Sequence, residues 1–114
     1  MGIVTNYNDK YQKCIDACGR CAQACTECLK LCLSEPDVQK RINCISILME
    51  CASICKEAVC FMTSDAQFAK NVCGLCASIC DKCAIECAMF KDNHCVMCAN
   101  ECKLCASECK MMAQ

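Results

Sequence analysis

Residues 14–32 read CIDACGRCAQACTECLKLC, and their cysteines, Cys14, Cys18, Cys21, Cys25, Cys28 and Cys32, are separated by steps of 4, 3, 4, 3 and 4. Alternating threes and fours form the inward stripe of a helix packed in a bundle, written here in cysteine where leucine is usual. Residues 73–87, CGLCASICDKCAIEC, place Cys73, Cys76, Cys80, Cys83 and Cys87 at steps of 3, 4, 3 and 4. Residues 94–109, HCVMCANECKLCASEC, repeat those steps with Cys95, Cys98, Cys102, Cys105 and Cys109. A looser stripe starts in residues 44–55, CISILMECASIC, as Cys44, Leu48, Cys51 and Cys55, and continues to Ala58 and Met62. Cys60 falls off that stripe, about 200° around the helix from Met62. Ile45, Ile47, Val59 and Phe61 widen the apolar surface of this segment, as contact with another subunit would require.

Helix-boundary chemistry separates the runs. Ser34-Glu35-Pro36-Asp37 offers a capping hydroxyl, an early proline and acidic residues suited to a helix N-terminus. Ser64-Asp65-Ala66-Gln67 fits a capping box, and Asp92 or Asn93 can cap the last helix. The spacing predicts helices over about 9–33, 36–62, 65–90 and 93–112. Connections this short force neighbours to run antiparallel, so the expected fold is all-α, an up-down-up-down four-helix bundle over residues 9–114 after a short extension over residues 1–8. Gly19 and Gly74 lie within helices beside cysteines, where the missing side chain is expected to let backbone or metal approach closely.

Composition sharpens the picture. Cysteine supplies 20 of 114 residues, while Trp is absent and Tyr and Phe number two and three, so thiols must fill much of the interior. Net charge is −1 and no basic run occurs, which leaves no electrostatic footprint for nucleic acid. No apolar stretch is long enough to span a bilayer. The first ten residues lack a secretory pattern, and Asn6 stands where a myristoylation motif wants Ser or Thr. The expected compartment is the cytoplasm, where dense cysteine more often signals metal than disulfide.

Three readings of the ladders compete. Buried cysteine can serve as a small hydrophobe, but leucine or valine would bury more apolar area and resist oxidation. Disulfides fit poorly, because neighbours three or four apart on one helix rarely reach disulfide geometry. Metal fits directly: side chains at i and i+4 share a face, as in Cys14/Cys18, Cys21/Cys25, Cys28/Cys32, Cys51/Cys55, Cys76/Cys80, Cys83/Cys87, Cys98/Cys102 and Cys105/Cys109.

Charge discriminates among thiolate-seeking metals. Zinc in four-thiolate sites would hold about five ions and leave about ten negative charges buried. Cu(I) with each sulfur bridging two ions reaches about one ion per thiolate and neutralises the core. Iron–sulfur clusters usually draw cysteines from loop motifs ending in Cys-Pro, and the only proline is Pro36. The reading is many Cu(I) ions per chain; zinc or heavy-metal sequestration and a thiol redox buffer are the alternatives. Near-uniform thiol offers none of the mixed acid, base and nucleophile groups an enzyme needs.

Antiparallel packing gathers Cys32, Cys44, Cys87, Phe90, His94 and Cys95 at one end. His94, the only histidine, is there either a Cu(I) ligand or relay, or a solvated capping residue. Tyr11, Met62 and Met112 gather at the other end, as a hydrophobic plug or as thioether ligands. Met49, Met89 and Met97 fall off the stripes and read as surface or interface residues.

The four runs, over Lys10 to Met112, resemble the bacterial copper storage proteins, specifically the cytosolic branch without an export signal. That resemblance implies a four-helix bundle with Cu(I) along its core, assembly into a homotetramer, and copper uptake at the His-bearing end, which falls on His94. A copper chaperone is the candidate loading partner.

Overall fold

A computed structural model gives the fold and describes residues 2–4 and 10–114. Its helices are α1 (Gln12–Leu33), α2 (Ile42–Thr63), α3 (Ala69–Cys87) and α4 (Asn93–Ala113), with a 3₁₀ helix over Val38–Arg41 ahead of α2. Most of the expected N-terminal extension, residues 1–8, lies outside the described residues. Neighbours pack α1 on α2, α2 on α3, α3 on α4 and α4 back on α1. That closed ring with short connections is the up-down-up-down bundle the spacing predicts.

The stripes build the core. Every cysteine except Cys60 is buried, together with Leu48, Ala58 and Met62 from the looser stripe. Alanines flank the thiols on each helix: Ala22, Ala52, Ala77 with Ala84, and Ala99 with Ala106. Small residues at these seams bring the helices close enough for sulfurs on opposite sides to meet. Tyr11 and Met62 are buried at the far end, and Met112 is partly buried against the core. Met49, Met89 and Met97 are exposed.

The helix ends depart from expectation. Helix α2 begins at Ile42, after a turn through Pro36 and the 3₁₀ helix. Backbone bonds from Val38 to Glu35 (3.1 Å) and from Lys40 to Asp37 (2.8 Å) tighten the chain there and carry Arg41 inward. Ser64 does not cap α3; it closes α2, its hydroxyl donating to the Cys60 carbonyl at 2.9 Å. Ala66 N–H reaches the Phe61 carbonyl and Asp65 N–H the Met62 carbonyl, a Schellman motif with Asp65 in the left-handed region at φ 49°. The turn delays α3 to Ala69. At its other end α3 stops at Cys87, and 3₁₀-type bonds from Met89 to Glu86 and from Phe90 to Cys87 tighten the exit. Asp92 occupies the N-cap position of α4 without a side-chain cap, because its carboxylate is turned to Arg41.

The glycine expectation is also corrected. A Cβ at Gly19 would meet nothing within 4 Å, and one at Gly74 would make only ordinary contact with Ala113 at 3.7 Å. Neither glycine is needed for close approach to the core.

Candidate metal centre

The 3.6-residue period places about one sulfur per turn on each inward face, so the interior is a column of thiols. Sulfurs no more than 4.0 Å from a neighbour run without a break from the plugged end to Cys83 and Cys98. Cys14 meets Cys109 at 3.5 Å, Cys109 meets Cys18 at 3.6 Å, and Cys105 donates to Cys18 at 3.6 Å. Cys55 then bridges Cys105 (3.8 Å), Cys76 (3.7 Å) and Cys80 (3.8 Å). Cys51 joins Cys80 at 3.6 Å to Cys21 at 3.8 Å. Cys25 and Cys102, 3.8 Å apart, continue the column.

Four-residue groups whose ligand atoms lie within 4.8 Å of one another are Cys18/Cys76/Cys105/Cys109, Cys21/Cys55/Cys80/Cys105, Cys21/Cys25/Cys51/Cys102 and Cys28/Cys32/His94/Cys95. Cys28, Cys87 and Cys98 form a further trio. The groups overlap: Cys105, Cys21 and Cys28 each belong to two. A sulfur shared between adjacent groups has to bridge ions if both are filled. Among the expected ligands, Cys44 pairs with Cys87 at 3.7 Å, and Cys73 is buried beside the Cys14 and Cys18 end without joining a group. Cys60 is exposed, as its place off the stripe requires.

Proton affinity follows from packing. Burial pushes the Cys73 thiol up to about 11, helped by charge on Cys18 and Cys76. Burial also raises Cys95. Cys18 moves the other way, because the Cys105 thiol donates to it. The column therefore favours neutral, proton-sharing thiols until a cation replaces their protons.

The mouth has its own chemistry. His94 Nδ1 lies 3.4 Å from Cys28 Sγ and 3.7 Å from Cys95 Sγ. Its Nε2 lies 3.3 Å from Glu35 Oε1 and 2.8 Å from Asp92 Oδ2, the latter without the alignment of a hydrogen bond. Two carboxylates around Nε2 favour the proton there and leave the Nδ1 lone pair directed at sulfur, the arrangement of a metal-ligating histidine. Phe90 reaches this end, as expected, with its ring 4.3 Å from the Arg41 guanidinium.

Arg41 is the residue the spacing does not reveal. It is 4 % exposed. Its Nε donates to Asp37 at 2.6 Å, Nη2 to Asp92 at 2.7 Å, and Nη1 to the sulfurs of Cys32 (3.5 Å) and Cys95 (3.4 Å). The guanidinium beside Asp92 holds that carboxyl well below the usual carboxylate range, and Asp92 raises Arg41 in turn. A basic residue four after Asp37 is the only local trace in the sequence, and such pairs usually lie on solvated faces.

A bundle whose core is a continuous thiol column, with a histidine at one end, is a protein built to hold soft metal ions. The model of the copper storage protein family, Csp, matches residues 7–114. The chain belongs to the copper storage protein family. It is 41% identical to a Cu(I)-bound copper storage protein, BsCsp3, with a TM-score of 0.88 over 91% of this chain and 98% of that one. It is 40% identical to metal-free copper storage protein 3 from Bacillus subtilis, with a TM-score of 0.85 over 91% and 99%. A cytosolic copper storage protein from Streptomyces lividans, carrying five coppers, is 36% identical with a TM-score of 0.86 over 89% of each chain. No curated protein sequence matches the chain.

Proposed function

We propose that this protein stores Cu(I) in the cytosol, holding many ions on the thiolates of its core. The observation that carries the reading is the overlap of thiol groups in an interior almost without charge. Among the described residues only Arg41 and Glu86 are buried charged side chains, and Glu86 faces Lys82 at 3.6 Å. Thiolates in such a core need their neutralising charge from the metal. One Cu(I) per bridging thiolate supplies it, and each ion bound displaces about one proton.

The ligands are the inward cysteines, Cys14 to Cys32 of α1, Cys44, Cys51 and Cys55 of α2, Cys73 to Cys87 of α3 and Cys95 to Cys109 of α4, with His94 at the mouth. Copper is cargo rather than a catalytic cofactor, and no reaction is assigned to the chain. The cytosolic assignment draws on the Streptomyces relative, which is a cytosolic storage protein. A homotetramer is the assembly this reading carries. Half-buried Ile45, Ile47, Val59 and Phe61, with exposed Ile42 and Met49, give α2 an apolar outer surface suited to it. A copper chaperone is the candidate donor.

Anaerobic titration with Cu(I) and with Zn(II), followed by chelator competition, tests the proposal. Storage requires about one tightly held copper per inward thiol. Saturation near five zinc ions with weak copper binding would instead make the protein a zinc store. Each four-thiol group taken singly suits tetrahedral zinc, so the count rather than the local geometry decides.

A further inference from the structure

The mouth group, Cys28, Cys32, His94 and Cys95, differs from the others in having a resident cation against it. Four of the five N–H donors of the Arg41 guanidinium are hydrogen-bonded. Carboxylates of Asp37 and Asp92 take its outward edge, Glu35 stands 3.8 Å from Nη2, and both hydrogens of Nη1 point at the sulfurs of Cys32 and Cys95. Neutral thiols are weak acceptors, so a buried arginine aimed at two of them is poorly paired. Aimed at two thiolates it makes charge-assisted bonds in a site shielded from water. The carboxylate ring and the ring of Phe90 fix the guanidinium in that place.

We propose that Arg41 is a permanent counter-cation of the mouth: its Nη1 bonds to the sulfurs of Cys32 and Cys95 where a bridging copper would otherwise sit. This rests on the copper-storage reading above. The sulfurs of Cys32 and Cys95 are 3.7 Å apart, a spacing like those of the column, so geometry alone would let a copper bridge them. Arg41 opposes that bridge in two ways. It occupies sulfur lone pairs with N–H donors, and its charge repels a second monovalent cation a few ångströms away. The mouth then holds a single Cu(I), on Cys28 and His94 with support from Cys95, tied to the bridged column through the Cys28 sulfur alone. Such an ion is the one placed to exchange with a donor or acceptor outside. Arg41 is thus a positioning residue that separates a transit site from the store behind it.

The first test uses the unaltered protein. A crystal saturated anaerobically with Cu(I) and measured at the copper absorption edge should show copper along the column and Arg41 Nη1 still bonded to both sulfurs, with no copper between Cys32 and Cys95. A copper bridging that pair with the guanidinium swung outward would overturn the inference and leave storage intact. A column without copper would remove both.

Arg41→Met, Arg41→Lys and Arg20→Met give the second test. Arg20 also links helices, bonding Glu101 across α1 and α4, but on the exposed surface. Arg41→Met should gain about one copper at saturation and lose its fast-exchanging fraction in chelator transfer, with the slow rate at least about tenfold below it. Arg41→Lys, which keeps the charge, should restore the fast fraction at least in part, and Arg20→Met should behave as the parent. Unchanged stoichiometry and exchange in folded Arg41→Met would refute the role. Should that variant fail to fold, the copper-edge crystal structure of the parent decides.

Discussion

His94 Nδ1 faces Cys28 Sγ at 3.4 Å across the gap between α4 and α1, while Glu35 and Asp92 surround the opposite nitrogen. On the proposed reading, a histidine oriented this way would bind copper arriving at the mouth, as one donor among many for the store as a whole. His94→Ala should therefore weaken the mouth site about tenfold and slow loading in stopped-flow mixing, while lowering capacity by at most about one ion. A large fall in capacity would mean that His94 supports the column and not only its mouth.

The legibility of this protein follows from the period of one residue type. Cys14 to Cys32 and the two later runs carry a helix face in their spacing, and a face made of thiols can only turn inward or bind metal; both the bundle and its interior were readable from that. Helix ends were harder. Ser64 and Gln67 satisfy a capping-box pattern, yet the Schellman bonds from Ala66 and Asp65 claim the same residues for the end of α2. Local patterns cannot say which of two adjoining helices wins a shared turn. Arg41 was invisible for another reason: its partners Asp92 and Cys95 lie 51 and 54 residues away, and only the closed ring of helices brings them together.

The metal-free, reduced protein should be folded, since protonated thiols pack as small apolar groups. Circular dichroism of that form should show helix content close to that of the copper-loaded protein, unlike a zinc finger stripped of metal. Its stability has a definite pH sense. Cys73 is raised from 9.0 to about 11, so the folded chain holds that proton more tightly than the unfolded one. The stability that the Cys73 thiol contributes is complete below pH 9.0 and is lost as pH rises through about 11. Thermal unfolding from pH 7 upward checks this, and a melting temperature that climbs across that window would contradict it. Copper uptake runs the other way: displaced protons compete with copper, so affinity weakens as pH falls.

Asp65 holds the left-handed position of the turn between α2 and α3 with φ 49°, a conformation that costs most side chains energy and glycine almost none. Its carboxylate contributes little in return, standing 3.9 Å from Lys10 with both side chains well exposed. Asp65→Gly should stabilise the metal-free protein by about 0.5–1 kcal/mol in denaturant unfolding, the relieved strain outweighing the added chain entropy. A loss of stability would show that the carboxylate holds the turn through more than that distant ion pair.

Leu48 and Cys60 allow the link between position and capacity to be tested without touching the existing ladder. Leu48 is fully buried on the α2 stripe between Cys44 and Cys51, a level where the other helices contribute thiols; Cys60 is a thiol on the wrong face. If inward sulfur alone sets how much copper the protein holds, Leu48→Cys should add about one ion at saturation and Cys60→Ser should subtract none. The new cysteine is smaller than leucine, so metal-free Leu48→Cys should unfold more easily by about 1–3 kcal/mol. Copper bridging from Cys44 through the new sulfur to Cys51 should recover much of that on loading. Anaerobic titration read by mass spectrometry counts the ions directly. An unchanged count in folded Leu48→Cys, or a fall in Cys60→Ser, would mean that capacity depends on something other than sulfurs facing the axis.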